Sequence, residues 1–187
     1  MTNNAPADAD WTDAVLAFWF EETSPDLWFA KNAQLDERIH SRFLQTYERV
    51  RNGVPGNAFS SARASLAAVI VLDQFPRNLF RNSPQSFATD ARALSIAQQA
   101  IASGLDKQLP EPQRVFLYMP FQHSEDRAVQ ARAIELFASL EDKTTLSYAR
   151  RHKEVIDRFG RFPHRNAVLG RPSSETEREF LETTPGF

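Results

Sequence analysis

The chain has 187 residues, of which 42% are hydrophobic and 25% charged, and its formal net charge is −2. These values are ordinary for a soluble globular protein, and the small net charge argues against nucleic-acid binding, which relies on a basic surface. Cysteine is absent, which excludes disulfide bonds, thiolate nucleophiles and cysteine-ligated zinc and is compatible with the cytoplasmic location that we expect.

The chain is long enough for one domain with a real core, preceded by a short tail. Residues 1–9 are polar and lack the basic and apolar regions of a signal peptide, and we expect them to be flexible. Residues 10–187 are predicted to form a single all-α domain. The longest apolar run, residues 66–72, is far shorter than the roughly 20 residues that a membrane helix needs, so we expect no membrane partner.

Helical periodicity dominates the first half of that domain. A first helix is predicted over about residues 10–20, and Asn32 is placed to cap a longer helix that ends near Gly53. Residues 58–74 are predicted to be a central buried helix, because residues 66–72 are apolar on nearly every side.

The second half continues with short helices. Helices are predicted over residues 87–103 and 145–159, and Ser124 is predicted to cap another helix between them. The pattern Ser174-x-x-Glu177 is a capping box that opens a last helix. About eight helices with short connections indicate stacked antiparallel helical hairpins.

Three segments of the chain bring a proline and a dense polar cluster together. They are residues 73–78 (Asp-Gln-Phe-Pro-Arg-Asn), residues 119–126 (Met-Pro-Phe-Gln-His-Ser-Glu-Asp) and residues 161–166 (Arg-Phe-Pro-His-Arg-Asn). Proline removes a backbone donor and disfavours helix in the residue before it, so each segment marks a predicted helix end. We expect the polar groups of all three segments to meet in one neighbourhood.

The residue types in these segments suit an anionic ligand, because arginine side chains recognise carboxylates and phosphates. The predicted ligand-binding residues are Asp73, Arg77, Asn78, Arg161, His164, Arg165 and Asn166. The expected partner is a small anionic ligand or a peptide. The alternative is a scaffold in which the same arginines pair with carboxylates and pin loops between helices.

A second alternative is a hydrolase-like enzyme. His123 would act as a general base, Asp126 would orient its ring, and arginines would hold an anionic substrate. The histidines at positions 123, 152 and 164 could in principle ligate a metal, but their spacing matches no helical metal motif. We therefore predict neither a metal nor a cofactor.

Several of these motifs together resemble the bacterial family called domain of unknown function 924. The matching segments are residues 15–20 (Val-Leu-Ala-Phe-Trp-Phe), 28–31, 72–78, 87–90, 116–126 and 158–171, and the resemblance extends over about residues 13–181. The resemblance implies an all-α, tetratricopeptide-like helical fold. It implies no activity and assigns no catalytic residues.

Overall fold

The computed structural model describes residues 5–184, with side chains described from Trp11 onwards, and this part of the chain is helical and contains no β-strand. The α-helices found there are α1 (Ala5–Ala17), α2 (Ala33–Asn52), α3 (Ala62–Val69), α4 (Phe75–Leu79), α5 (Asp90–Ala102), α6 (Glu111–Gln122), α7 (Arg127–Ala138), α8 (Lys143–Phe159) and α9 (Glu175–Thr183). The predicted all-α fold class is confirmed.

The start of the chain differs from the prediction. Helix α1 begins at Ala5, so residues 5–9 of the predicted tail have a helical backbone, whereas residues 1–4 lie outside the described residues. Helix α1 then continues into a π-helical turn, Phe18–Glu22. Thr23 follows this turn, and its hydroxyl donates to the Phe18 carbonyl at 2.7 Å.

The chain divides into two compact units. Unit 1 holds the described residues up to Arg81 together with Gln85–Pro120, and unit 2 holds Asn82–Pro84 and the described residues from Phe121 onwards. A single domain over residues 10–187 stays a prediction.

Unit 1 is built around an aromatic core. The rings of Phe18 and Phe43 lie 4.9 Å apart, and Trp19 meets Phe75 and Phe116 edge-on, at 5.7 Å in each case. Edge-to-face rings add favourable quadrupole contacts to the burial of apolar area. Ile70 and Leu72 are also fully buried, which confirms that the helix carrying them is central.

The prediction that Pro76 ends this helix is wrong. A π-helical turn, Ile70–Gln74, joins α3 directly to α4, and Pro76 lies in the first turn of α4. Proline is tolerated here because the carbonyl that would have accepted its missing N–H finds another donor. The Leu72 carbonyl, whose α-helical partner would be the missing N–H of Pro76, accepts the Thr89 hydroxyl at 2.5 Å.

Unit 2 contains a helical hairpin. Helices α7 and α8 are joined by residues 139–142, and Asp142 caps α8 by accepting from the Thr144 N–H at 2.8 Å. One apolar cluster of this unit comprises Val155, Ile156 and Phe162, with Phe159 and Phe180 packed against it. The capping box predicted for the last helix is confirmed at the start of α9.

The region around Pro120 also differs from the prediction. Helix α6 runs through Pro120 and ends at Gln122, because a missing donor in the last turn interrupts only one helical bond. Asp126, not Ser124, is the cap of α7: its Oδ1 accepts from the N–H groups of Ala128 and Val129 at 2.8 and 2.9 Å.

Candidate functional site

The first proline-centred segment lies in unit 1, and its arginine is bound by carboxylates. Arg77 donates from Nη1 and Nη2 to the two carboxylate oxygens of Asp90, at 3.0 Å each. Its Nη1 also lies 3.5 Å from Oδ1 of the fully buried Asp73 and donates to the main-chain carbonyl of that residue. Burial opposes the charge on Arg77, but the two carboxylates outweigh it and raise its pKa.

The asparagine of the same segment contacts a different helix. Asn78 Nδ2 donates to Oδ1 of Asp36, on α2, at 2.8 Å. Arg81 donates to the same carboxylate from Nε and Nη2, at 2.6 and 2.8 Å. One carboxylate on α2 therefore holds two side chains that follow α4.

The second and third segments come together within unit 2 through Glu125. Its Oε1 accepts from the main-chain N–H of Phe162 at 2.8 Å, and its two oxygens accept from Nη1 and Nη2 of Arg171 at 2.7 and 3.0 Å. Burial raises the pKa of the Glu125 carboxyl, but the bonds from Arg171 and Phe162 outweigh burial and hold that pKa below its ordinary value.

Arg161 and Asn166 take part in the packing of the third segment. Arg161 donates to both oxygens of the buried Glu177 at 2.7 and 2.8 Å, and this pairing lowers the pKa of Glu177 to about 2. Asn166 is fully buried, donates to Ser173 Oγ at 3.1 Å and accepts from Arg171 Nε at 3.0 Å.

A second group of side chains in unit 2 surrounds Phe162, and we call it the His–Arg cluster: His123, His152, His164 and Arg165. The Phe162 ring lies 5.6 Å from the His152 ring and 5.5 Å from the His164 ring. The Arg165 guanidinium lies over the same ring at 4.6 Å. The His123 ring lies 6.2 Å from the His152 ring, so all three imidazoles gather within one neighbourhood.

The backbone holds this cluster together. Arg165 is buried and donates from Nη2 to the main-chain carbonyl of His123 at 3.0 Å. His152, on α8, bonds through Nδ1 to the Tyr148 carbonyl at 2.8 Å. The histidine rings stay half-buried, so solvent reaches part of each residue.

The surroundings of His152 disfavour a proton on its ring. Burial is the main cause that lowers the pKa of His152 to about 3, from an ordinary 6.5. The neighbouring His123, His164 and Arg165 lower it further, while the bond to the Tyr148 carbonyl opposes them. A proton on His152 is therefore unfavourable here, and the charge of Arg165 also acts on Glu125, whose pKa it helps to lower.

The structure thus places the predicted site residues in three groups. Asp73, Arg77 and Asn78 lie in unit 1, and that they meet the other segments stays a prediction. Arg161 and Asn166 hold the loop before α9. His123, His164 and Arg165 lie together in the cluster.

Two of these placements affect the roles expected from the sequence. Asp126 is exposed and serves as the cap of α7, and its predicted pairing with His123 stays untested. His152 completes the cluster, whereas the sequence analysis considers it as a metal ligand. Its spacing from Ile156 and Phe159 puts it on the same helical face as those residues, and this pattern indicates an inward position.

The described residues contain neither a group of metal-ligating side chains nor a membrane-spanning helix. Within residues 11–184, no three side chains of His, Asp or Glu are arranged so that they could hold a metal ion. No helix in the described part of the chain is both long enough and apolar enough to cross a membrane.

Comparisons with known proteins identify the family of this chain. The model of a family described as a bacterial protein of unknown function (DUF924) matches residues 15–185. The chain is also similar to the solved structure of a protein of unknown function from Agrobacterium tumefaciens, with 38% sequence identity and a TM-score of 0.87 over 97% of this chain and 100% of that chain. No curated protein matches. This chain therefore belongs to the bacterial family of unknown function DUF924.

Proposed function

We propose that this protein binds a small anion through the His–Arg cluster of unit 2. The observation that carries the proposal is the gathering of three imidazoles and one buried guanidinium around Phe162. Arg165 carries a permanent positive charge, and a protonated imidazole beside it would be stabilised by a ligand that supplies negative charge. Guanidinium and imidazole donors are also the groups that bind phosphate and carboxylate oxygens most strongly.

The other arginines of the predicted set support a structural role instead. Arg77 and Arg161 each bind a carboxylate with two parallel hydrogen bonds. An anionic ligand would need the same two parallel N–H groups, and in both arginines a carboxylate of the protein already occupies them. The scaffold alternative is therefore favoured for these two residues, and the binding role is restricted to the cluster.

Nothing in the cluster favours the peptide or the hydrolase alternative, and both stay predictions. The carboxylate of Asp126 is engaged with the N-terminus of α7, which is the role of a helix cap. A cytoplasmic location is supported by the cysteine-free composition and also stays a prediction.

The four histidines of the chain make a direct test possible, because three lie in the cluster and His40, on α2, is exposed. The protein labelled at the histidine ring carbons would be titrated with inorganic phosphate and followed by NMR. We expect the ring resonances of His123, His152 and His164 to shift together, with His40 unchanged. Equal shifts at all four histidines would indicate general ion screening, and unchanged resonances would remove the proposal.

A paired variant separates binding from folding. His164→Gln keeps a hydrogen-bonding side chain but removes an imidazole from the cluster, and His40→Gln makes the same change on an exposed face. Phosphate should raise the melting temperature of the His40→Gln protein as much as that of the wild type, because a ligand that binds only the folded state stabilises it. The rise should be smaller for His164→Gln.

A further inference from the structure

The most exposed large hydrophobic residue in the described part of the chain is Phe29, which is 71% accessible to solvent. A single exposed apolar residue needs no explanation, but the surface on which Phe29 lies is itself aromatic. Its ring is stacked on the ring of Phe116, with the two centroids 6.1 Å apart and the planes inclined by only 8°. Phe116 is fully buried, so Phe29 forms an outer layer over a ring of the core.

The other rings around Phe116 meet it in a different way. The rings of Trp28, Phe20 and Trp19 approach it edge-on, with centroids at 5.0, 5.4 and 5.7 Å and interplanar angles of 83°, 77° and 87°. Among these four neighbours, Phe29 alone lies parallel to Phe116. Its ring therefore fills a flat position against the face of Phe116, and this position has the size of one phenyl ring and is open to solvent on its outer side.

The surroundings of this position are fixed by hydrogen bonds, whereas its occupant is held by stacking. Nε1 of Trp28 donates to the main-chain carbonyl of Trp19 at 2.8 Å. Three residues after Phe29, Asn32 caps α2 by accepting from the Leu35 N–H at 2.9 Å. The Phe29 side chain has no hydrogen-bonding group, so a rotation about its side-chain bonds turns the ring outward and breaks only the ring stack. Exposed side chains make such rotations within nanoseconds.

We propose that the Phe29 ring is a displaceable cover, and that the position which it fills binds the aromatic ring of a small molecule, stacked on Phe116 in its place. The choice of occupant rests on the group that lies there now, which is a phenyl ring in the parallel arrangement that aromatic pairs favour. Because the position opens to solvent, the expected ligands carry an unhindered phenyl or benzyl group whose substituent extends outward. All of these residues belong to unit 1, so the inference does not rest on the anion binding proposed for unit 2.

The cover lowers the apparent affinity of the wild type. A ligand binds only to molecules in which Phe29 has turned away, so the apparent Kd equals the intrinsic Kd divided by the fraction of such molecules. Phe29→Ala removes the cover and leaves Phe116 with its three edge-on neighbours. This variant should therefore bind with the intrinsic Kd, and the ratio of the two affinities measures how often the cover is open.

The test is a titration of the full chain with benzyl alcohol, followed by NMR of the tryptophan indole N–H groups. We expect the signal of Trp28 to shift, because its ring lies 5.0 Å from that of Phe116. Phe29→Ala should bind at least about tenfold more tightly than the wild type. Tyr148→Ala, which removes another exposed aromatic ring, from α8 of unit 2, is the matched control and should bind with the wild-type affinity.

A second ligand tests whether an aromatic ring is required. Cyclohexylmethanol carries the same substituent on a saturated, puckered ring, which cannot stack flat on Phe116. We expect it to bind to Phe29→Ala at least about threefold more weakly than benzyl alcohol, because it lacks the stacking contribution of an aromatic pair. Equal binding of the two compounds would overturn the assignment of an aromatic ligand.

Three further results would overturn the inference. Absence of binding to Phe29→Ala would mean that the position takes no ligand, and equal affinities of wild type and variant would place the ligand elsewhere. A wild type that binds no benzyl alcohol up to its solubility limit would mean that the cover is not displaced. If the variant does not fold, the wild type alone decides: bound benzyl alcohol should show nuclear Overhauser contacts to the Phe116 ring while those from Phe29 fade, and persistent Phe29 contacts would contradict the proposal.

Discussion

Arg165 donates from Nη2 to the main-chain carbonyl of His123 at 3.0 Å, although the two residues are 42 positions apart in the sequence. This bond joins the loop before α9 to the segment before α7. It brings a permanent positive charge close to His152, which lies on neither of these segments. The titration of His152 is therefore the most direct report on whether the cluster is assembled in solution.

We expect the His152 ring to stay neutral well below the ordinary histidine range and to take up a proton only near a pKa of about 3. Burial is the main cause, and the charge of His123 is the second, so His123→Gln should raise the pKa of His152. Histidine NMR recorded over a pH series measures both effects. A His152 ring that titrates at its ordinary 6.5 would mean that the cluster is open to solvent.

The same group makes stability depend on pH, with a definite sign. Between about 6.5 and about 3 the unfolded chain binds a proton at His152 that the folded chain does not. The free energy of unfolding therefore falls as the pH drops through this window. Urea unfolding of the wild type and of His152→Leu over that range should show a steeper decline for the wild type, and parallel curves would contradict the prediction.

Glu177 gives a second pH dependence, in a more acidic window. The bonds from Arg161 lower its pKa to about 2 from an ordinary 4.5, so the stability that it contributes is complete above about 4.5 and is lost as the pH falls towards 2. The stability difference between wild type and Glu177→Gln should shrink across that window. Glu175→Gln, on the exposed side of the same helix, is the matched control and should show no such change.

We expect that lysine cannot replace the guanidinium group of Arg171 without a loss of stability. Arg171 donates to both oxygens of Glu125, to the Phe162 carbonyl and to Asn166 Oδ1, and a lysine ammonium cannot reproduce this planar set. We expect Arg171→Lys to lower the free energy of unfolding by about 2 kcal/mol. Arg178→Lys, at an exposed arginine of the same region, should change it by less than about 0.5 kcal/mol. Equal losses would show that only charge matters.

We expect the hydroxyl group of Thr89 to contribute to the stability of the fold. Thr89→Val keeps the shape of the side chain but leaves the buried Leu72 carbonyl without the hydroxyl donor, and we expect a loss of about 1–3 kcal/mol. Thr89→Ser keeps the donor and should lose less. Chemical unfolding of the three proteins measures the order, and a serine variant as unstable as the valine variant would assign the effect to packing.

Ile70 should show the energetics of a close-packed core. It is fully buried, so Ile70→Ala should cost about 2–5 kcal/mol and Ile70→Val about 0.5–1.5 kcal/mol. The same unfolding experiment gives both values. A loss well below one kcal/mol for the alanine variant would mean that the surroundings collapse into the space left behind.

Local features of the fold could be predicted because they depend on neighbours in the sequence. Asn32 caps α2 through a bond from the Leu35 N–H, and Ser174 and Glu177 form the expected capping box. The misplaced boundaries at Pro76 and Pro120 have a different origin. Whether a helix continues through a proline depends on which distant groups satisfy the freed carbonyls, and Thr89 is one such group.

The partners of the candidate site were less predictable, for the same reason. Arginine–carboxylate pairing was foreseen as an alternative, and the pair of Arg77 with Asp90 follows it. Glu125 and Glu177 were not foreseen as partners of Arg171 and Arg161, because helix-start acids are first expected to offset the helix dipole. In the structure Glu177 binds Arg161, and its Oε2 also accepts from the Ser174 N–H at the start of α9.

The π-helical turn Ile70–Gln74 contains one residue more than a regular helical turn, and Pro76 determines where that residue sits. An extra residue in a uniform helix can migrate along it by exchanging hydrogen bonds, but here migration would require a backbone donor that proline lacks. Pro76 therefore fixes the position of the extra residue. Inserting or deleting one residue within α3 would rotate the preceding part of the helix by about 100° relative to Asp73 and Gln74. The length of this helix is therefore constrained as tightly as its composition.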